Sequence, residues 1–324
     1  MYDVCALGEL LVEFTPAGVS DDGNPLYEQH PGGAPAVAAA CVSRLGKASA
    51  YIGKVGSDSF GTALKKVLAS FGVEVRGVKT TAFYPTTMAF VTLREDGERQ
   101  YEFFRNNTAD LRLTPGEVDL SLIDDAKVFC FGSVSLTGEP CCSATFAAAE
   151  HAKKAGKVVC YDPNLRLSLW ESELVARDSV LRGMQYADVL KVSQEELSFL
   201  TKGMSLHDGA LTMLKRHNLS AVIVTRGKKG AYCLTLSYEL SVPPYRVNTV
   251  DIAGAGDAFL GGFLYRMLEF GKHPDKLSIA EMMVCLDFAG AVGAMTTASR
   301  GTMPALPTLE QVYECMRNAV KLNG

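Results

Sequence analysis

Lys127–Leu136 reads KVFCFGSVSL, Ser143–Gly156 reads SATFAAAEHAKKAG and Lys157–Asp162 reads KVVCYD. A short apolar run, a helical-period segment closed by glycine and a second apolar run closed by aspartate form the signature of a βαβ unit, in which a crossover helix joins parallel strands. The rhythm extends both ways. Upstream, Ala63, Leu64, Val67, Leu68 and Phe71 fall on one helical stripe, with Gly72 as its stop. Downstream come a helix over Ser172–Ala187, a strand over Asp188–Val192 and a strand over Ser220–Thr225. The predicted fold is α/β, a doubly wound, mostly parallel sheet flanked by helices. With 324 residues, 48% of them hydrophobic, and no linker, repeat or low-complexity tract, it is read as a single domain over 1–324.

One region breaks the rhythm. Thr86–Phe104, TTMAFVTLREDGERQYEFF, reads as two alternating strands turning at Asp96 and Gly97. With the stretch from Leu10 to Tyr27 it is expected to form a small β-sheet lid, over approximately 10–30 and 80–107. Polar residues gather just past the strand ends: Asp162, Asn164 and Arg166; Ser193 and Glu196; Thr225, Arg226 and Gly227. In open α/β sheets the ligand crevice lies at the carboxyl ends of the strands, so these groups are expected to share one cleft.

A net charge of −4 gives no basic face, and nucleic acid is not an expected partner. The nine cysteines are scattered and read as reduced, mostly buried thiols of a cytoplasmic protein. The opening MYDVCALGELLVEF reads as a buried strand, not a signal peptide. Ile279–Thr297 is apolar but carries Glu281 and Asp287, and is expected to be a core helix, with no membrane partner. The five histidines have no partner at metal or triad spacing.

The sharpest chemical signal is Asp251–Phe263, DIAGAGDAFLGGF. Gly254, Ala255 and Gly256 precede an apolar helix, so their backbone N–H groups can form an anion hole at its N-terminus. Asp257 would then place a carboxylate beside a held phosphoryl group, where it can take a proton from an attacking hydroxyl. An ordinary helix N-cap is the plain alternative. Neither the Walker spacing nor a dinucleotide fingerprint after the first strand is present.

This motif, with HPGGAPAVAAACVSRLG at 30–46, resembles the paired signatures of the ribokinase-like (PfkB) carbohydrate kinases. The resemblance extends through GELLVEF, VGSDSFG, FFRNNTADLRL, YDPNLRLSLW, VSQEELSFLT and VTRGKKG, and the wording is nearest to bacterial fructokinases, with 2-keto-3-deoxygluconate kinases close behind. It implies that Asp257 is the catalytic base and that Gly254–Gly256 stabilise the transferred phosphoryl. It implies sugar contacts from Glu13, from Gly32 and Gly33 as a hinge, and from Phe103 and Arg105, with Arg166 near the phosphates. Ser193, Thr225, Arg226, Gly227 and Gly230 fall on the nucleotide side, Glu196 on magnesium through water, and Asp251 on a monovalent-cation loop. For several of these a structural role is the alternative: Glu196 as a first-turn helix residue, Asp251 as a turn former, TRGKKG as a tight β-turn.

Two departures fall on the sugar end. Val37 stands where the family has Asn, and Glu13 where it has Asp; on the magnesium side Ser193 replaces Asn. The expected activity is transfer of the γ-phosphoryl of ATP, with magnesium and optionally potassium, to a sugar hydroxyl, fructose giving fructose 6-phosphate being the first choice. A 2-keto-3-deoxygluconate kinase, its substrate carboxylate met by Arg105, is the first alternative, and a catalytically idle nucleotide- or sugar-binding regulator the remote one. Relatives often dimerise through the lid, so a homodimer is a further expectation.

Overall fold

The computed structural model describes residues 1–93 and 99–321, which leaves the turn at Asp96 and Gly97 outside the described residues. The strands are β1 (Tyr2–Leu7), β2 (Leu11–Val19), β3 (Pro25–Gly32), β4 (Ser49–Gly56), β5 (Glu74–Thr81), β6 (Met88–Leu93), β7 (Arg99–Phe104), β8 (Ala126–Phe131), β9 (Val158–Tyr161), β10 (Val189–Ser193), β11 (Ala221–Thr225), β12 (Ala231–Leu234) and β13 (Glu239–Val242). The helices are α1 (Ala34–Arg44), α2 (Ser59–Ser70), α3 (Leu120–Asp124), α4 (Cys141–Lys154), α5 (Glu173–Gly183), α6 (Gln194–Leu200), α7 (Leu206–Arg216), α8 (Ala255–Phe270), α9 (Ile279–Thr296) and α10 (Leu309–Asn318).

A nine-stranded sheet runs in the order β13-β12-β11-β10-β9-β8-β1-β4-β5. It is parallel from β5 to β11 and antiparallel at β12 and β13. The chain starts in the middle at β1, builds β4 and β5 on one side and returns to β8 on the other. That reversal opens a crevice at the carboxyl ends of β1 and β8. Strand residues alternate between two cores: Val4, Ala6, Val128 and Cys130 face α1, α2, α8, α9 and α10, whereas Cys5, Leu7, Phe129 and Phe131 face α3 to α7. Both faces being covered explains why these strands read as continuous apolar runs.

The predicted strand over 127–136 stops at Phe131, because Ser133 N–H turns to the carbonyl of Pro163 (2.9 Å) and a 3-10 turn, Val134–Leu136, takes over. Expected helix ends shift by a few residues where side chains cap them. Asp58 starts α2 by accepting from Gly61 N–H, and Ser278 with Glu281 forms a capping box on α9. That helix is long and apolar enough to cross a membrane, yet Met282, Cys285, Leu286, Phe288 and Val292 are buried in the core against α8 and α10. All nine cysteines are free, and all but Cys142 are buried.

A second, four-stranded sheet is ordered β3-β2-β6-β7. β2 pairs antiparallel with β3 and parallel with β6, and β6 pairs antiparallel with β7. Glu13, Ala89 and Phe103 share a cross-strand row on the face toward the crevice. The other face carries Phe14, Phe90, Tyr27 and Phe104 in mutual ring contact.

Candidate active site

The sheet's carboxyl ends deliver the polar groups. Asp162 follows β9, and Lys191 lies inside β10; they form an ion pair at 2.8 Å with both side chains about 5% exposed. A lysine in a fully buried strand needs such a partner, since an unpaired buried charge is strongly unfavourable. Asn164, at φ 46°, sits in the left-handed region that asparagine tolerates better than most residues. From there its amide donates to Asp257 Oδ1 at 2.6 Å. Asp257 stands in the first turn of α8, entered through Gly254 at φ 71°, a backbone conformation that favours glycine. The Ala255 N–H makes a long bond to Ile252 O (3.4 Å), so the outward donors of this helix start come after it. Lys191 Nζ lies alongside Gly256: a Cβ there would be 3.1 Å from it.

Burial pushes the Asp257 carboxyl above its ordinary range, against the pull of Lys191, Arg166 and the Asn164 amide. Burial, with Glu196 and Asp257 nearby, likewise pushes Asp162 up to about 7 despite Lys191. Burial alone would lower the Lys191 ammonium, but Asp162, Glu196 and Asp257 together hold it above its usual value. Asp162 Oδ1 is buried without a hydrogen-bond partner among the described residues. The cluster therefore sets Asp162, Glu196 and Asp257 around Lys191, with Arg166 as a second cation beside Asp257.

The hinge closes the other end of the same cavity. Gly33 has φ 113°, and a Cβ there would fall 2.2 Å from Glu9 O; Gly32 lies so close to Glu13 that its Cβ would be 2.8 Å from the carboxylate. The cavity is lined by Glu9, Glu13, Gly33 and Val37, by Tyr101 and Phe103 from β7, and by Val134, Asn164, Arg166, Gly254, Asp257 and Thr302. Arg166 lies under the Tyr101 ring, 5.6 Å from its centroid.

A family model, pfkB family carbohydrate kinase, matches residues 1–309. The chain belongs to the PfkB family of carbohydrate kinases. Fructokinase-1 of Zea mays is 43% identical over 319 residues, covering 98% of each chain. Fructokinase from Xylella fastidiosa, solved with bound ATP, superposes with a TM-score of 0.90 at 30% identity, covering 98% of this chain and 99% of that one. A fructokinase double mutant from Vibrio cholerae, solved with fructose, ADP and a potassium ion, gives a TM-score of 0.87 at 33% identity, covering 97% and 98%. The fold is ribokinase-like, as the sequence motifs implied.

Not every expected residue of this PfkB kinase reaches the cavity. Arg105 is buried behind it: Nε donates to Asp110 Oδ2 (2.7 Å), Nη1 to Thr137 Oγ1 (2.5 Å) and Nη2 to Val134 O (3.0 Å). A guanidinium with three of its five N–H donors so engaged is held in the wall; it does not line this cavity but borders the neighbouring one with Tyr101 and Phe103. Glu196 takes the alternative role of a capping box, its Oε2 accepting from Ser193 N–H (2.7 Å) and its Oε1 from Leu165 N–H (2.6 Å), while the Ser193 hydroxyl accepts from Glu196 N–H. Asp251 ties two loops together, accepting from Ala253 N–H (2.8 Å) and Gly301 N–H (3.1 Å). Thr225 ends β11 beside Ser193, and Arg226, Gly227 and Gly230 lie in the connection to β12, outside this cavity; Arg226 donates to Gln194 Oε1 (3.2 Å).

Three contributors escaped the motif reading: Lys191, Tyr101 and Asn164 as the partner of Asp257. Lys191 had a signal, a charge in the otherwise apolar DVLKV. Tyr101 had none, because an aromatic in an alternating strand reads as packing.

Proposed function

We propose that this carbohydrate kinase transfers the γ-phosphoryl of ATP to the 6-hydroxyl of fructose, with Asp257 as the general base. The observation that carries the reading is the Asp257 carboxylate, held by Asn164 at a helix start, in one cavity with Glu13 and the Gly32–Gly33 hinge. The hydroxyl oxygen attacks the γ-phosphorus, its proton passes to Asp257, and the bond to the ADP oxygen breaks. As charge moves onto the phosphoryl oxygens, the α8 N-terminus, Arg166 and Lys191 face it with fixed positive potential. Burial raises the base toward the pH at which it must work, which favours proton acceptance.

On the nucleotide side the proposal keeps Ser193, Thr225, Arg226, Gly227 and Gly230, at the adjoining ends of β10 and β11. Among the described residues no group of three or more His, Cys, Asp or Glu side chains could hold a metal by itself, which fits a magnesium ion carried mainly by phosphate oxygens and water. Glu196 would hold that water shell, with the unpartnered Asp162 Oδ1 nearby as a further acceptor. Magnesium would neutralise phosphate charge and so lower the barrier to attack. A potassium ion would stiffen the loops that Asp251 joins, and the potassium-bound relative supports testing it.

The small sheet acts as a lid, its Tyr101 and Phe103 covering the cavity and excluding water. Its outer face leaves Tyr27 45% and Phe104 49% exposed, an aromatic surface suited to a second copy of the chain. The keto-acid alternative is weakened because Arg105, its intended cation, is bound to Asp110.

The test is ADP release from magnesium ATP over fructose, other hexoses, ribose and 2-keto-3-deoxygluconate. Preference for fructose is expected. Preference for the keto acid would overturn the fructose assignment, and silence on every acceptor with ATP still bound would turn the reading to an idle regulator.

A further inference from the structure

Glu9 follows β1, at the carboxyl end of the strand from which the sheet winds both ways. Only 4% of it is exposed. Its Oε1 accepts from Ala34 N–H at 2.8 Å, in the first turn of α1. Its Oε2 is buried without a hydrogen-bond partner among the described residues, and the side chain lines the same cavity as Glu13 and Asp257. The backbone beneath it is fixed: Glu9 O accepts from the Tyr51 hydroxyl at 2.6 Å and lies against Gly33, where no Cβ fits. The carboxyl therefore has little freedom to turn away from the cavity.

A helix-capping role accounts for one oxygen only. Leaving the second buried and unsatisfied is unfavourable in the empty site and is relieved when a ligand supplies the missing bond. We propose that Glu9 Oε2 binds a hydroxyl of the acceptor sugar and thereby helps to set which sugar this site accepts. The assignment rests on reading this cavity as the sugar site. Burial, against the pull of the Ala34 N–H and Arg105, pushes the Glu9 carboxyl up to about 7. To the Glu9 carboxylate a sugar hydroxyl donates its proton, and that is the form in which Oε2 accepts; an amide N–H in its place cannot accept that proton. Neither Asp257, which takes the reacting proton, nor Glu13, from the lid, is replaced by Glu9, which approaches from the fixed sheet.

Glu9→Gln keeps an acceptor for Ala34 N–H and exchanges the second oxygen for an amide. Loss of a hydrogen bond to a charged group is expected to raise KM for fructose roughly tenfold to a hundredfold, with KM for ATP little changed. The rise in Tm on adding fructose should shrink in parallel, while the sugar-free Tm stays near that of the unmodified protein. Against a series of monodeoxyfructoses, the unmodified protein should discriminate strongly at one hydroxyl, and Glu9→Gln should lose discrimination at that position alone. An unchanged KM and an unchanged fructose-induced Tm shift, or the same discrimination across the series, would overturn the assignment. Failure of the fructose reading would show separately, as no turnover of fructose by the unmodified protein. The comparison then moves to the sugar it does phosphorylate, where a flat response of Glu9→Gln would again overturn the role of Glu9.

Discussion

The two ends of the cavity are built on different principles. At the phosphoryl end, Asp162, Asn164, Lys191 and Asp257 come from adjoining strand ends and a helix start, bound to one another within a fixed sheet. At the sugar end, Glu13, Tyr101 and Phe103 come from a separate sheet, joined to the core through Gly32 and Gly33, with Val37 and Glu9 opposite them. On the proposed function, the first end serves phosphoryl transfer and the second faces the acceptor. The departures at Val37 and Glu13 both fall on the second. Chemistry can thus be kept while specificity shifts, because few side chains serve both ends.

Substitutions at each end should separate these roles. Asp257→Ala removes the base, and kcat should fall by roughly 10² to 10⁴ with the fold kept, as read by circular dichroism and ADP release. A near-normal rate would break the phosphoryl half of the comparison. Lys191→Met leaves Asp162 buried without its cation, which should lower unfolding stability by about 3–5 kcal/mol in denaturant titration. Adding Asp162→Asn should recover much of that stability but not the lost turnover; full recovery of turnover would make the pair merely structural.

Arg105→Ala strips Asp110 of its partner and should cost a similar amount, about 3–5 kcal/mol. Turnover of fructose relative to 2-keto-3-deoxygluconate should stay as it was; a selective loss on the keto acid would restore Arg105 as a substrate ligand. With pH, activity requires Asp257 as the carboxylate, and burial raises its folded pKa, so kcat/KM should fall on acidification at a higher pH than an exposed aspartate would give. An acid limb in the ordinary aspartate range would contradict the buried base. The smallest effect is expected at the lid: Tyr101→Ala loses the contact over Arg166, worth on the order of 1 kcal/mol, a few-fold change in KM. Tyr101→Phe should retain most of it.

The parallel sheet was legible because strands covered on both faces must be apolar throughout, and because crossover helices repeat a 3.6-residue stripe. The helix start at Gly254–Asp257 was legible because glycines before an apolar helix mark its N-terminus, whereas the use of Asp257 came from the family resemblance. Arg105 and Glu196 were harder to read for a common reason: a charged side chain beside a motif reads the same whether it meets a ligand, an internal partner or both. Only the fold revealed Asp110 and the Leu165 N–H as those partners. Glu9 was hidden by its neighbour, since GELLVEF offers two glutamates and the family pattern drew attention to Glu13. The orphaned oxygen that distinguishes Glu9 is a property of three-dimensional burial, with no trace in spacing.

The most direct measurement is the product and stoichiometry of the reaction of the purified protein with magnesium ATP and fructose, followed by phosphorus NMR. Fructose 6-phosphate and ADP should appear one for one. ADP without sugar phosphate, or a phosphate on another hydroxyl, would contradict the placement of the 6-hydroxyl against Asp257.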